Sequence, residues 1–121
     1  RIFGPVPRDY SFKLNKKLKR LARRSALTYK AQAGAISVIE NLQMEAPKTK
    51  QVVALTEALK VANKKVLLVL PEGNANLQLS CRNIPSVKPI LAENINTYEV
   101  MNANVLVMVE GAENVLNVML A

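Results

Sequence analysis

The side chains in this sequence that are best suited to a chemical task are cationic and lie close together near its start. Residues 1–30 contain ten Lys and Arg residues and one acid, Asp9, so this segment carries a charge of +9. Residues 31–121 contain seven basic and eight acidic residues, which leaves the 121-residue chain with a net charge of +8. Arginine binds phosphate bidentately, and lysine binds it as a point charge. The excess of positive charge therefore indicates a polyanionic partner.

The sequence lacks the residues that most enzymes and metal sites need. It has no His, which excludes Ser-His-Asp triads, Cys-His pairs and zinc sites with histidine ligands. The one cysteine, Cys81, cannot form an internal disulfide, is typical of a reducing compartment, and is expected to be buried or half-buried. The four glycines are isolated and the acids are scattered singly, so neither a phosphate-binding glycine loop nor a carboxylate pair is present. We therefore predict no catalytic residues, no metal site, no cofactor and no enzymatic activity, including that of a nucleotide-dependent α/β enzyme.

One long helix must position most of the cations. A single domain over residues 1–121 is predicted to begin with an extended lead-in over 1–12, because prolines and a glycine interrupt it. The basic helix is predicted over 13–34, with its body from about Leu14 to Ala33, where Leu, Ala, Lys and Arg dominate. Asn15 or Ser11 is the expected N-cap, and Gly34 is expected to end the helix.

The rest of the chain alternates between short apolar runs and helical segments. Four strands are predicted, at Ile36–Ile39, Val66–Leu70, Val87–Leu91 and Val105–Val109, and the first is expected to be buried. Pro89 suggests that the pairing of the third strand is limited or lies at an edge. Helices are predicted from Pro47 to about Ala62, around 76–82, from Asn96 or Thr97 through Met101, and from Gly111 to Leu120. The second helix should face inward through Val52, Leu55, Leu59 and Ala62. This alternation predicts an α/β fold with a mainly parallel sheet.

A helical wheel divides the basic helix into two arcs. Leu14, Leu18, Leu21, Ala22, Ser25 and Tyr29 fall within an arc of about 100°, and the eight cations between Lys13 and Lys30 fall on the other side. The apolar arc is predicted to pack on the sheet and the cationic arc to face outward. Leu27 is the exception, because it lies in the middle of the cationic arc and could contact another element or a partner.

Three interpretations of the cationic arc are open. A solvated helix face usually mixes both signs of charge, and this helix holds no acid between Lys13 and Ala33. A helix lying on a membrane needs a larger apolar arc, and the longest apolar runs in the chain are about five residues, so no membrane partner is predicted. Nucleic acid would neutralise the cations directly. Because aromatic residues are scarce, recognition should depend on phosphate, sugar and shape.

Two smaller groups of polar residues complete the candidate site. Lys48 and Lys50 lie at the start of the second helix, where free amide groups favour anions, although such residues are often only solvated. Arg82 and Asn83 lie in a predicted loop, where they could contact phosphate. The predicted phosphate contacts are Arg8, Lys13, Lys16, Lys17, Lys19, Arg20, Arg23, Arg24 and Lys30, followed by Lys48, Lys50, Arg82 and Asn83.

Four linked motifs resemble those of the bacterial-type large-subunit ribosomal protein L-four family. They are FGPVPRDYS at 3–11, KKLKRLARRSAL at 16–27, EAPKTK at 45–50 and RNIP at 82–85. The resemblance covers essentially the whole chain and departs from the family at Asn15, where proline is common, and at Cys81, where alanine is usual. It implies a C-terminal two-thirds fragment, because the family's long basic loop, which precedes this segment and reaches the exit tunnel, is absent here.

The resemblance implies both a fold and a function. The expected fold is a three-layer α/β/α domain with a four-stranded sheet in the order 1-4-2-3. The expected function is that of a structural constituent of the large ribosomal subunit, which binds the 5′ domain of the large ribosomal RNA in the cytoplasm during assembly and adjoins neighbouring ribosomal proteins. Some members also bind their own messenger RNA, so the alternative is a regulator that binds a messenger RNA or an acidic protein through the same helix.

Overall fold

A computed structural model describes residues 2–40 and 46–121. Arg1, which is one of the ten cations, and Glu45, which belongs to the third motif, lie outside the described residues. The helices are α1 (Lys16–Gln32), α2 (Thr49–Ala58), α3 (Ala75–Cys81), α4 (Thr97–Asn102) and α5 (Ala112–Leu120), with one 3-10 turn at Ala92–Asn94. The strands are β1 (Ile36–Ile39), β2 (Val66–Leu70), β3 (Val87–Leu91) and β4 (Val105–Val109), so the predicted strand boundaries are confirmed.

The four strands form one parallel sheet in the order β1-β4-β2-β3. The two central strands, β2 and β4, are buried along their whole length, because helices cover both of their faces. Pro89 lies opposite Leu68 on the edge strand β3, where a missing amide donor does not interrupt a second ladder. This order agrees with the expectation from the resemblance.

Side chains that alternate along the central strands face two separate helical layers. Leu67, Val69 and Leu106 pack with residues of α1, α4 and α5 on one side of the sheet. Leu68 and Val107 pack with residues of α2 and α3 on the other side. The arrangement is a three-layer α/β/α fold, as predicted.

Two predictions about individual elements are wrong. The first strand was expected to be buried, yet β1 is an outer strand of the sheet, and Val38 is 61% exposed. The second helix was expected to extend from Pro47 to about Ala62. It ends at Ala58, because Lys60 adopts a left-handed backbone conformation with φ of 60°, and Val61 is buried while Ala62 is exposed.

The ends of α1 agree with the sequence signals. The side-chain oxygen of Asn15 accepts a hydrogen bond from the amide of Leu18 at 2.9 Å, which makes Asn15 the N-cap. At the other end, Ala33 is the C-cap and Gly34 has a φ of +67°. A glycine in this left-handed position ends many helices, because a side chain there would be strained. The helix is therefore slightly shorter than the predicted 13–34.

Candidate nucleic-acid interface

The helix α1 packs on the domain through Ala26 and Leu27 rather than through its leucine-rich arc. Ala26 is 2% exposed, and Leu27 packs against the same core cluster, while Ala22 is half-buried. The neighbours of α1 are α4 and α5, which share its side of the sheet. Leu27, the exception on the helical wheel, is thus a core contact.

The apolar arc that was predicted to pack on the sheet is exposed. Leu18, Leu21 and Tyr29 are 45%, 58% and 63% exposed, and Leu14 and Ser25 are also exposed. The prediction is wrong because it contrasted only polar and apolar residues around the helix. Alanine allows a close approach between helices. The side of α1 that carries Ala26 and Leu27 therefore packs on the domain, although the helical wheel places this side mainly among the cations.

The first turns of α1 display cations on a surface that other elements leave open. Every residue from 16 to 21 is exposed, so this end of the helix is accessible from all sides. Within residues 2–40 and 46–121, no Asp or Glu side chain forms an ion pair with a cation of this helix. The exposed cations of this end, with the one just before the helix, are Lys13, Lys16, Lys17, Lys19 and Arg20.

The cations further along the helix differ from one another in their surroundings. Arg24 is exposed, whereas Arg23 and Lys30 are half-buried. The Lys30 ammonium donates a hydrogen bond to the backbone carbonyl of Ala103, which follows α4. The Arg20 guanidinium donates to the main-chain oxygen of Ala121 at 3.1 Å, although Arg20 stays exposed. Lys30 thus connects two helices of the same layer, and the remaining side chains present the charge.

The lead-in adds one more cation before the helix. The Arg8 guanidinium lies 4.2 Å from the centroid of the Tyr10 ring, a cation–π contact between two exposed side chains. Asp9 accepts a hydrogen bond from the amide of Ser11 at 2.8 Å. Hydrogen bonds from the Ser11 side chain and backbone lower the pKa of Asp9. The carboxylate of Asp9, the single acid of residues 1–30, therefore binds Ser11. Arg8 remains exposed.

The second group of predicted contacts lies on the opposite side of the sheet. Lys48, Lys50, Arg82 and Asn83 are all exposed. The Lys48 amide donates to the Ser80 hydroxyl at 2.9 Å, which places the start of α2 beside the last turn of α3. The structure thus brings these four residues into one neighbourhood, separate from α1. The Lys48 amide itself is not free for an anion, because Ser80 already accepts its hydrogen.

Comparison with known proteins decides the family. Residues 1–119 match the family described as the Ribosomal protein L4/L1 family. The chain belongs to this family. It is 54% identical over 121 residues to the large ribosomal subunit protein uL4 of Phocaeicola vulgatus, with 97% of this chain and 58% of the relative covered. It is 57% identical over 117 residues to the protein of the same name from Porphyromonas gingivalis, with 97% and 56% covered.

A third relative gives the same result. The large ribosomal subunit protein uL4 of Bacteroides fragilis is 56% identical over 112 residues, with 93% of this chain and 54% of the relative covered. The chain thus spans a little over half the length of the relatives that it matches. Membership in a family of ribosomal proteins confirms the resemblance seen in the four motifs and the prediction that the chain is not an enzyme.

The structure places the one cysteine in the core of the domain. Cys81 is 1% exposed, and burial raises the pKa of its thiol from 9.0 to about 11, so the reactive thiolate is disfavoured. In the described part of the chain, no group of His, Cys, Asp or Glu residues is arranged to hold a metal ion. Each helix within that part is too short or too polar to cross a bilayer.

A crevice at one end of the sheet does not suit a phosphate. It has a volume of about 830 Å³ and lies where β2 and β4 end, which is the usual ligand position in α/β folds. The acidic residues in its lining are Glu72, Glu110 and Glu113, and no cation lines it. The phosphates of a nucleotide or of an RNA backbone would be repelled by these carboxylates. The cations of α1 therefore remain the candidate nucleic-acid interface.

Proposed function

We propose that this chain is part of a structural constituent of the large ribosomal subunit and binds large-subunit ribosomal RNA through the cations of α1. The observation that carries the proposal is the first end of the helix, where Lys13, Lys16, Lys17, Lys19 and Arg20 are exposed and no Asp or Glu side chain of the described residues pairs with them. The named relatives are large ribosomal subunit proteins, which supports RNA as the polyanion and the cytoplasmic ribosome as its place.

The mechanism is electrostatic and positional. Each phosphate that a Lys or Arg neutralises releases condensed counterions, and this release stabilises the complex. Arg20 and Arg24 can form two parallel hydrogen bonds to one phosphate, whereas the neighbouring lysines adapt as point charges. Because the helix presents these groups at fixed spacing, binding should follow the shape of the RNA backbone rather than its base sequence. The 5′ domain of the large RNA, during assembly, is the proposed target.

The second neighbourhood extends the same proposal to another side of the domain. Lys48, Lys50, Arg82 and Asn83 are exposed across the sheet from α1, so one RNA strand on α1 would not reach them without passing an edge of the domain. A folded RNA, or an RNA together with a neighbouring ribosomal protein, could contact both. We propose that this group contributes less to affinity than the cations of α1, since it holds fewer charges.

The test is the salt dependence of binding to a fragment of the 5′ domain of large-subunit ribosomal RNA. With about five phosphate contacts, log K should fall with log[salt] with a slope of about −4. The variant Lys16→Gln/Lys17→Gln should reduce the magnitude of that slope by about 1.5. The matched control is Lys64→Gln/Lys65→Gln, which removes the same charge from exposed positions before β2.

Two results would contradict the proposal. A flat plot of log K against log[salt] would show that phosphate contacts do not determine affinity. An equal loss in the two double variants would show that net charge alone attracts the RNA and that α1 is not its contact. Competition between the ribosomal fragment and the chain's own messenger RNA separates the ribosomal role from a regulatory one, and we expect the ribosomal fragment to win at physiological salt.

A further inference from the structure

The lead-in before α1 exposes three aromatic rings. Phe3, Tyr10 and Phe12 are 93%, 73% and 81% exposed. They are three of the five aromatic residues in the whole chain, and they lie within ten residues of one another. The low aromatic content of the sequence therefore hides a local concentration of rings. The proposed binding of phosphates by α1 does not use these rings.

The lead-in lies open to solvent along its length. Residues 2–14 are all exposed and form neither a helix nor a strand. Single exposed apolar side chains are normal, but several of them close together on one segment mark a place where a partner binds. The lead-in is therefore a second candidate contact beside the cationic start of α1.

The middle of the lead-in already has the geometry of a stacking site. The Arg8 guanidinium lies 4.2 Å from the centroid of the Tyr10 ring and so occupies one face of that ring. Tyr10 remains exposed, which leaves the other face open. The Asp9 carboxylate accepts a hydrogen bond from the Ser11 amide at 2.8 Å, which forms a local turn around Tyr10. This turn restricts the backbone before a partner binds, and such restriction lowers the entropy cost of binding.

Charge and backbone restrict what the partner can be. The cations Lys13, Lys16 and Lys17 follow the rings directly and are exposed, so the partner should carry negative charge. A membrane surface usually binds an amphipathic helix, and Pro5 and Pro7 prevent a helix here. Aromatic rings next to a cationic track are the combination that binds single-stranded nucleic acid, because the bases stack and the phosphates pair with cations.

The type of RNA follows from the same chemistry. Bases inside an A-form duplex are stacked on one another, whereas those in loops and bulges are open to aromatic side chains. We infer that Tyr10 and Phe12 stack on unpaired bases of the RNA, while Arg8 and the first cations of α1 bind the neighbouring phosphates. This inference rests on the proposed function and adds to it that the target contains unpaired nucleotides. Because every base has a flat face, stacking does not require a particular base sequence.

The experiment compares two RNAs of equal length. One is a fragment of the 5′ domain of large-subunit ribosomal RNA chosen to contain an unpaired loop, and the other is a perfect duplex. Tyr10→Leu should weaken binding to the fragment by about tenfold, which is typical of one stacked base, and should change duplex affinity by less than about twofold. The salt slope should stay the same in this variant, because stacking releases no counterions. Tyr10→Phe keeps the ring and should retain affinity within about twofold.

Two matched controls separate stacking from other apolar contacts. Val6→Ala removes exposed apolar surface from the same segment, and Tyr98→Leu removes an exposed ring from α4. Both should leave RNA affinity unchanged. Tyrosine fluorescence adds an independent signal, since the chain contains three Tyr and no Trp. Binding of the fragment should quench the wild type more than Tyr10→Phe, although the two proteins bind equally well.

The outcomes distinguish this inference from the proposed function. Equal affinity of wild type and Tyr10→Leu for the fragment, with a salt slope still near about −4, would overturn the inference and leave the proposed function intact. A flat salt plot with the Tyr10→Leu loss preserved would contradict the phosphate contacts of α1 and support stacking. Equal losses on the fragment and the duplex would show that unpaired bases are not required. A loss in Val6→Ala as large as that in Tyr10→Leu would assign the segment to general apolar burial, as in a protein groove. Either of these last two results would overturn the inference.

Discussion

The ammonium group of Lys30, in the last turn of α1, donates a hydrogen bond to the backbone carbonyl of Ala103, the residue that follows α4. Ala103 is buried, and Lys30 is half-buried. A carbonyl at the end of a helix has no partner within the helix, so Lys30 supplies one. One cation of the basic helix is thus engaged within the protein, whereas Lys17 on the same helix is exposed.

This contact predicts that Lys30 has a structural role and differs from the cations proposed to bind RNA. Lys30→Met should lower the free energy of unfolding by about 1–2 kcal/mol, because the carbonyl of Ala103 loses its donor. The same change should alter affinity for the ribosomal RNA fragment by less than about twofold, which is well under the effect of losing one phosphate contact. Urea denaturation and RNA titration of the same preparation measure both quantities.

Lys17→Met is the matched control for that prediction. It removes the same charge from the same helix, but its ammonium has no partner among the described residues. It should weaken RNA binding and reduce the magnitude of the salt slope while leaving the unfolding free energy within about 0.5 kcal/mol. If Lys30→Met instead weakened RNA binding and left the unfolding free energy unchanged, Lys30 would be an RNA contact and not a structural residue.

Strands and helix starts could be predicted from the sequence where neighbouring residues determine them. Runs such as Val66–Leu70 and Val105–Val109 are apolar without interruption and short, which is typical of a strand covered on both faces. Asn15 and Asn96 each precede a helix, and each side chain accepts a hydrogen bond from an amide three residues further on. The end of α2 was not predictable in this way. It depends on a left-handed Lys60, a conformation that residues other than glycine seldom adopt.

The candidate site shows a different limit of sequence reasoning. The number and position of the cations could be predicted from the sequence. The orientation of α1 could not, because Ala26 carries little hydrophobicity and still lies in the core contact. The role of Lys30 depends on Ala103, which lies 73 residues away. Long-range partners of this kind leave no local pattern. Leu27 was the one signal available, since a leucine among cations is unusual on a solvated face.

The left-handed end of α1 gives a second prediction. Gly34→Ala should lower the unfolding free energy by about 1 kcal/mol, since φ is +67° and a side chain disfavours this region. No atom lies within 4 Å of the added carbon, so the cost comes from the backbone alone. Gly73→Ala is the control, because it has equal space without the positive φ and should be neutral or slightly stabilising. Equal destabilisation in both variants would contradict the argument.

The N-cap of α1 is expected to affect both stability and the proposed RNA binding. Asn15→Ala removes the acceptor for the Leu18 amide and should cost about 1 kcal/mol, whereas Asn15→Ser keeps a capping oxygen and should cost less. Because the first turn carries Lys16 and Lys17, its fraying should also weaken RNA binding in the alanine variant. Hydrogen exchange at the Leu18 amide reports the fraying. Unchanged exchange together with lost affinity would mean that Asn15 itself contacts the RNA.

The buried thiol of Cys81 makes stability depend on pH in an alkaline window. Burial raises its pKa from 9.0 to about 11, so the unfolded chain loses this proton at lower pH than the folded one. The contribution of the neutral thiol is therefore complete below about pH 9 and declines as the pH rises toward about 11. Across that window the wild type should lose about 2 kcal/mol more unfolding free energy than Cys81→Ala does. The two proteins differ only at this position, so the comparison, made by urea denaturation at pH 8 and pH 11, isolates the contribution of the thiol. A difference that stays constant between the two pH values would show that the thiol ionises equally in the folded and unfolded chain.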